Sequence, residues 1–566
     1  RADFSAYFNS FDFTPYKYNV AATYVDTFMN FSVNTAVIPD INEEIRGLAE
    51  NAASELANGN NSTGYISYWP KTRNGLFKSE ATGELIAVGI QEYPKYYYVK
   101  DSAKFWIDEI DESYKESDLF LYRSEPLLLN HGIKGYKFVL RDTGSSRTIT
   151  RMVMLKDNYT FSLVTMGDTL TTGSAFINSF FKSFRPAEKK LGRNIYESRL
   201  DDFFTDLFSK DSTIQARAQQ SVSNIYYGEK GVPRIIDAIN RLNHSDKEYF
   251  NTKSKLIAEL GYIKDTTRPV VVNHLRKIYE QTADTSLFQN EVFHSLARHK
   301  TVAAYNLFKE LILQDPPIFE SDYEYSDLFD NLQDSLLLAR SLFPELLQLT
   351  SLSDYKGKVL SLLVTLVDSN IIKAQEYENY FSKIYFDAKI ELKKQRLKDE
   401  KIMEKEIVKD ENAAGGQNYN YFNDDKANLY EYSVLLLPFY TKNNNVPSFF
   451  EHLLQSKEPD VRLNTAVLLL RNNLPVADSI LLNLAATDQY RSRLFSELEK
   501  AKRLDKFPAT YKNQIDIARS YLVADKNYDK VDSIVFLLKQ PAAYQGKKGT
   551  VYFFKYRIKK EDDWKI

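Results

Sequence analysis

A helix-turn-proline-helix plan recurs in the second part of this sequence and constrains the fold more than any other feature. After Pro186, apolar residues return every three or four positions, as in amphipathic helices. Pro233 and Pro269 each open the second helix of a unit and lie 36 residues apart. A helical pair exposes two apolar stripes that only neighbouring pairs can bury. The pattern therefore predicts stacked helical repeats over residues 188–388 and 429–545.

Several repeat units carry residues at positions that one repeat family favours. Asp460-Val461-Arg462 matches the acidic-Val-Arg element of HEAT repeats, and Leu260-Gly261, Val232-Pro233 and Val446-Pro447 match other preferred positions. These segments resemble HEAT repeats. The resemblance implies an α-solenoid with an extended surface for a protein partner.

Residues 1–187 carry strand signals and a few helix signals instead. The runs that carry these signals are Asn42 to Leu56, Gly64 to Trp69, Leu85 to Ile90, Tyr96 to Val99, Ser102 to Tyr114, Gly135 to Met166 and Ser174 to Phe184. Gly135 to Met166 predicts a three-stranded antiparallel meander, because two turn segments interrupt it. This order of elements resembles the PsbP/Mog1-like α+β fold. Members of that group are mostly accessory or binding proteins, and the resemblance implies an antiparallel-sheet domain of that kind.

Two segments depart from the repeat pattern. Residues 389–428 contain an almost wholly polar helix of lysines and glutamates followed by a loop rich in glycine and asparagine. This segment is either a solvated extension with a mobile connection or a protruding arm that binds a partner. Residues 546–566 read as strand, turn and strand, which predicts a C-terminal β-hairpin. The predicted fold class is thus multidomain, an α+β domain followed by an all-α HEAT-like solenoid and a short β-hairpin.

Charge and composition exclude several classes of function. The 74 basic residues nearly balance the 76 acidic ones in this chain of 566 residues, so net charge gives no support for a nucleic-acid partner. The sequence contains no cysteine, which excludes disulfides, thiol catalysis and cysteine-based metal sites. No run of about 18 apolar residues occurs, so we expect no transmembrane helix in this chain.

Motifs for catalysis, cofactors and metals are also missing from the sequence. Glu291 and His294 share a helix face, but no His-Glu-x-x-His pattern, nucleophile elbow or phosphate-binding loop is present. A partly buried structural histidine is the favoured interpretation of His294. The tyrosines between Tyr93 and Tyr98 suit either a strand with one face in the core or a platform that stacks sugars or bases. We predict no catalytic, cofactor-binding or metal-binding residue, and no enzymatic activity.

A short tripeptide bears on location. Asp, then Ser or Thr, then a small or aliphatic residue looks like the O-glycosylation sequon that Bacteroidota use for proteins exported beyond the inner membrane. The candidate acceptors are Ser102, Thr169, Ser212, Thr266, Ser335, Ser479 and Ser533. Asp-Ser is also an ordinary helix cap, which explains some of these matches without modification. The matches make the chain resemble a Bacteroidota envelope glycoprotein, either periplasmic or associated with the outer membrane.

These observations predict a non-enzymatic scaffold for protein–protein interaction, an accessory subunit of a membrane-associated envelope assembly. Two alternatives remain open. The chain could be the accessory half of a larger envelope enzyme of the TraB/GumN type, with its catalytic domain outside this chain. It could instead bind a glycan or small ligand through its tyrosine-rich strands.

Overall fold

The computed structural model describes most of the chain. The described ranges are 20–39, 70–80, 82–115, 117–129, 133–169, 173–263, 267–283, 285–407, 428–525, 531–544, 547–558 and 564–565. The chain divides into two compact units, Arg1–Gln281 and Thr282–Ile566. The predicted elements Asn42 to Leu56 and Gly64 to Trp69, and the predicted loop after the polar helix, lie outside the described residues.

The first unit is built around two antiparallel sheets. Their strands are β1 (Ala22–Asp26), β2 (Phe31–Thr35), β3 (Lys71–Lys78), β4 (Leu85–Glu92), β5 (Leu119–Leu128), β6 (Lys134–Asp142), β7 (Arg147–Lys156), β8 (Tyr159–Asp168) and β9 (Arg185–Pro186). The large sheet has six strands in the order β3-β4-β8-β7-β6-β5, and the smaller sheet has the order β1-β2-β9.

Both faces of the large sheet are covered, because side chains of one strand alternate between the two faces. On β7, Met152 and Met154 belong to one apolar cluster, together with Phe180 of α2 (Ala175–Ser183). Val153 and Leu155 belong to the other cluster, together with Trp106 of α1 (Ser102–Asp111). The alternation fixes the register of the predicted meander, because a slip of one residue would exchange the two faces.

Five α-helices follow the sheets in the described part of the first unit. They are α3 (Leu200–Leu207), α4 (Ser212–Gln220), α5 (Gly228–Arg241), α6 (Tyr249–Gly261) and α7 (Arg268–Gln281). Pro269 lies in the first turn of α7, where its missing N–H has no intrahelical partner. Pro233 lies inside α5, because that helix begins at Gly228 rather than at Val232, where the sequence pattern places the start.

The second unit consists mainly of helices. They are α8 (Ser286–His299), α9 (Val302–Gln314), α10 (Asp322–Gln333), α11 (Leu336–Ala339), α12 (Ser353–Asp368), α13 (Ala374–Tyr377), α14 (Phe381–Ile407), α15 (Leu429–Leu436), α16 (Asn445–Leu454), α17 (Pro459–Arg471), α18 (Asp478–Ala486), α19 (Asp488–Lys500) and α20 (Gln514–Asp525). Helices α8, α10, α12, α15, α17 and α19 pack one against the next and form a continuous row.

Polar contacts between repeats recur at a regular separation in the second unit. Each joins side chains that are 29 to 36 residues apart, the length of one helical pair. The pairs are Arg298 with Asp327, Lys309 with Glu345, Lys358 with Asp322, Lys383 with Thr350, and Arg493 with Asp460. This regularity is the structural counterpart of the repeat period in the sequence.

The second unit ends in a β-hairpin that also confirms the predicted layout. Strand β10 (Val531–Tyr544) pairs antiparallel with β11 (Lys547–Ile558), and β12 (Trp564–Lys565) adds to β11 near its end. The first strand of the hairpin therefore lies before residue 546. An antiparallel-sheet α+β domain, helical repeats and a terminal hairpin follow one another as the sequence predicts. No helix among the described ranges combines the length and apolar character needed to cross a bilayer.

One predicted strand is wrong. Tyr96 to Val99 forms no strand, although its residues have high strand propensity. Tyr96 packs edge-on against Phe203 of α3 and donates a hydrogen bond to Asp206 at 2.6 Å. These tertiary contacts hold the segment as a loop beside α3.

Candidate partner-binding surface

Helix α14 has a packing face that contains both apolar and polar residues. Ile384, Ala388 and Leu392 are buried at helical spacing. Glu391 and Gln395 are buried on the same side. Asp399 accepts hydrogen bonds from Ser456 Oγ at 2.9 Å and from the backbone N–H of Lys457 at 3.0 Å, which ties α14 to the turn after α16. The part of α14 from Ile384 to Asp399 is therefore packed against the repeats.

The opposite side of α14 presents an apolar stripe to solvent. Phe386, Ile390 and Leu397 are 58%, 37% and 59% exposed. Spacings of four and seven residues place them within about 40° of each other around the helix axis. Lys389, Lys393 and Arg396 flank the stripe and are exposed. We call these six residues the α14 face.

Among the exposed side chains around the stripe, cations outnumber acids. Between Phe386 and Glu404, the exposed cations are Lys389, Lys393, Lys394, Arg396, Lys398 and Lys401, and the exposed acids are Glu400 and Glu404. Lys393, Arg396 and Lys398 form no ion pair within the described part of the chain. An apolar stripe bordered by cations is complementary to an amphipathic helix whose polar rim is acidic.

A cleft lies on the helix row. Residues of α15, α17 and α19 line a cleft of about 480 Å³, with Leu463 and Leu468 among its apolar lining and Tyr430 at its side. Arg471 pairs with Asp368 at 3.2 Å, and Arg493 donates to Asn464 Oδ1 at 2.9 Å. Each arginine thus already has a partner within the unit, so the cleft offers a less available cationic surface than the α14 face.

The sequence pair Glu291 and His294 lies in a buried network between α8 and α10. His294 Nδ1 is 3.1 Å from Asp327 Oδ2, and Arg298 contacts both Asp327 and Glu291. His299, further along α8, is fully buried. The described residues contain no group of three or more His, Asp or Glu side chains arranged for a metal ion. The network joins two adjacent helices of the row.

This network predicts a specific pH dependence. Burial, aided by the Arg298 charge, lowers the pKa of His294 to about 4, whereas burial raises the pKa of Glu291 above its usual value. Because an unfolded histidine titrates near 6.5, the stability that neutral His294 contributes is complete above that pH and is lost as pH falls towards 4. Protonation of Glu291 acts in the opposite direction.

Comparison with His294→Gln isolates the histidine, because Glu291 is present in both proteins. Between pH 7 and pH 5, the wild type should lose about 2 kcal/mol more opening free energy in α8 and α10 than the variant does. Hydrogen exchange of α8 and α10 amides at the two pH values measures this. Equal pH dependence in the two proteins would contradict the assignment of the histidine as the titrating group.

The tyrosine run between Tyr93 and Tyr98 packs within the first unit. Tyr93 stacks on Tyr97 with ring centroids 4.4 Å apart, and Tyr98 lies against Tyr226 at 5.6 Å. Tyr96 is buried, and burial together with its hydrogen bond to Asp206 raises its pKa. Much of the surface of these rings is therefore in contact with the sheet and the repeat helices. Sugar binding by this segment stays a prediction.

The candidate glycosylation residues are scattered over separate elements. Ser102, Thr169, Ser212 and Ser479 are exposed, Ser335 and Ser533 are half-buried, and Thr266 lies outside the described residues. Asp101 and Asp211 accept hydrogen bonds from N–H groups in the first turns of α1 and α4, so two of the tripeptides also act as helix caps. Modification at any of these positions stays a prediction.

Comparison with known proteins gives no family for this chain. No family model matches it, and no curated protein matches it. A solved structure described as "lipid-protein interactions in lipovitellin" aligns with 86% of this chain at 11% identity and a TM-score of 0.19. The chain spans about half of that lipovitellin chain, 51%.

Proposed function

We propose that this chain is a non-enzymatic protein–protein interaction scaffold that holds a partner protein on the α14 face. The observation that carries the proposal is the exposed stripe of Phe386, Ile390 and Leu397 on a helix whose other side is packed from Ile384 to Asp399. Aligned exposed apolar side chains bordered by one sign of charge are typical of interaction sites. The partner surface is an acidic amphipathic helix.

The helical repeats support this role by holding α14 in place. Contacts such as Lys356 Nζ to Glu391 Oε1 at 2.6 Å connect α14 to α12 of the row. A rigid support lowers the entropy lost when a partner binds, because the contact residues are already ordered. The HEAT-like resemblance of the repeats and the PsbP/Mog1-like resemblance of the sheet domain agree with an accessory role.

We place the scaffold in a bacterial envelope assembly, in the periplasm or at the outer membrane. This part of the proposal rests on the Asp-Ser/Thr tripeptides, four of whose acceptors are exposed. Mass spectrometry of the protein purified from its own host would detect glycopeptides at Ser102, Thr169, Ser212 or Ser479. Unmodified peptides at all four positions would remove the support for this location.

Carbodiimide crosslinking in the native host tests the α14 face directly. The reagent joins a lysine to a carboxylate in direct contact, so an acidic partner helix should give links to Lys389 and Lys393. A Phe386→Ser/Leu397→Ser variant should reduce recovery of the same partner at least tenfold, because it removes the apolar contact.

The matched control replaces two exposed side chains elsewhere in the unit. Tyr323 and Leu337 are 77% and 81% exposed and lie on α10 and α11. Tyr323→Ser/Leu337→Ser should leave partner recovery unchanged. Equal recovery with all three proteins, or links only to lysines away from α14, would reject the proposal.

A further inference from the structure

The C-terminal hairpin contains more apolar surface than the chain itself covers. Ile534, Phe554 and Ile558 are buried, and Tyr552 donates a hydrogen bond to Gln514 of α20. Interleaved with these residues along the middle of the ribbon, other large apolar side chains face solvent with 36% to 45% of their surface exposed. They are Val535, Leu537, Leu538, Val551 and Phe553.

This arrangement leaves the distal part of the hairpin poorly supported. A two-stranded ribbon is marginally stable in water unless a third strand or a packed face supports it. Among the described residues, β12 adds a third strand only at Tyr556 and Arg557, and α20 supports the ribbon as far as Tyr552. A further strand beside the distal ribbon would supply the missing hydrogen bonds and cover apolar surface.

The two edges of the ribbon differ in how well they can accept a strand. On β10, a register shift between Phe536 and Leu538 is followed by Lys539 and Pro541, and such bulges, lysines and prolines are the devices that block edge pairing. On β11, the segment Lys548 to Phe554 contains neither proline nor a bulge, and the structure describes no strand on its side away from β10. The edge of β11 is therefore the accessible one.

Charge selects the kind of strand that fits. From Ser533 to Arg557 the sequence contains no Asp or Glu, whereas it contains Lys539, Lys547, Lys548, Lys555 and Arg557. A second copy of the hairpin would bring the same positive charge and be repelled. An extended segment rich in Asp and Glu would instead gain cross-strand attraction.

We propose that the outer edge of β11, from Lys548 to Phe554, binds an extended acidic segment of a partner protein as an added β-strand. The proposal deepens the scaffold function, on which it rests for the partner being a protein. In this proposal, main-chain hydrogen bonds supply the affinity and the lysines supply the selectivity for an acidic segment. The α14 face and this edge are separate sites and are tested separately.

Fluorescence anisotropy with the purified full chain and a labelled peptide of alternating Val and Glu tests the proposal. Two further peptides carry N-methyl groups on alternate amides, one set on each edge of the peptide strand. We expect saturable binding, a Kd at least tenfold higher for one methylated peptide, and little change for the other, because only one edge pairs with β11. A Val-Lys peptide should not bind.

Two variants distinguish binding at β11 from binding elsewhere on the chain. Lys548→Glu should weaken peptide binding about fivefold through its reversed charge, and the Phe386→Ser/Leu397→Ser variant should bind the peptide as the wild type does. If the peptide binds but the crosslinking test of the α14 face fails, the β11 site is retained and the α14 proposal is rejected. If the crosslinking test succeeds but the peptide does not bind, only the β11 site is rejected. The proposal would be overturned if both methylated peptides bound equally well, or if peptide binding did not saturate at about 1 mM. It would also be overturned if the chain bound only anionic phosphatidylglycerol vesicles.

Discussion

Replacement of Arg491 by methionine is expected to lower the opening free energy of α18 to α20 by about 4 kcal/mol, from the loss of several buried charge-assisted hydrogen bonds. Arg491 is only 4% exposed. Its Nε donates to the carbonyl of Ala485 at 2.6 Å, and Nη2 donates to that of Ala486 at 3.1 Å. Its Nη1 donates to Asp488 Oδ1 at 2.6 Å and to the carbonyl of Asp516 at 3.1 Å.

The effect is large because the Arg491 side chain forms hydrogen bonds with groups at the ends of three helices. Ala485 and Ala486 end α18, Asp488 begins α19 and Asp516 lies in the first turn of α20. Methionine fills a similar volume but leaves three carbonyl groups without this donor. Cations also favour the carboxyl end of a helix, where the backbone dipole is negative.

Hydrogen exchange of amides in α18, α19 and α20 measures the local effect, which suits a repeat array that need not unfold in one step. Arg491→Lys is the matched control, because a lysine keeps the charge but not the planar fork of donors. It should recover less than half of the lost free energy. A methionine variant within about 1 kcal/mol of the wild type would show that these carbonyls find water or other donors.

The repeat helices were predictable from the sequence because helical periodicity and proline placement are local signals. Pro269 and Pro447 lie in the first turns of α7 and α16, as the repeated plan requires, whereas Pro459 begins α17, the first helix of its unit. The meander from Gly135 to Met166 was predictable for a similar reason, since alternating apolar runs and short turns identify adjacent antiparallel strands.

Two strands of the large sheet were not predictable from their own residues. Strand β3, with the sequence KTRNGLFK, is largely polar, and β5 contains Arg123, Ser124 and Pro126. Both are edge strands, so neither must bury two apolar faces. Hydrogen bonds to β4 and β6 hold β3 and β5, respectively, in the strand conformation. Pro126 is tolerated because an edge strand has one unpaired side.

The α14 face was not predictable either. The sequence marks the polar helix from Lys389 onward, whereas α14 begins at Phe381 and includes Phe386. An apolar residue at helical spacing looks the same in a sequence whether it faces the core or solvent. Only the packing of Ile384 and Ala388 on the opposite side shows that Phe386, Ile390 and Leu397 point outward.

Loss of Lys356 should have the second largest effect on stability. Glu391 is 3% exposed, and its Oε1 accepts from Lys356 Nζ at 2.6 Å and from Lys394 Nζ at 3.2 Å. Burial acts to raise the pKa of Glu391, but the two lysines outweigh it and hold the pKa below its usual value. Lys356→Met removes the shorter bond, so α12 and α14 should lose about 3 kcal/mol of opening free energy at pH 7.

The sign of the pH dependence should reverse in this variant. In the wild type, the contribution of Glu391 is present above its unfolded pKa, near 4.3, and is lost as pH falls through its lower folded pKa. In Lys356→Met, burial dominates and raises the folded pKa, so acid should restore part of the lost stability. A double variant, Lys356→Met/Glu391→Leu, removes the buried charge altogether and should return to within about 1 kcal/mol of the wild type. Hydrogen exchange of α12 and α14 amides at two pH values measures both effects. If the double variant were as unstable as Lys356→Met, the lysine would act through packing rather than through the charge of Glu391.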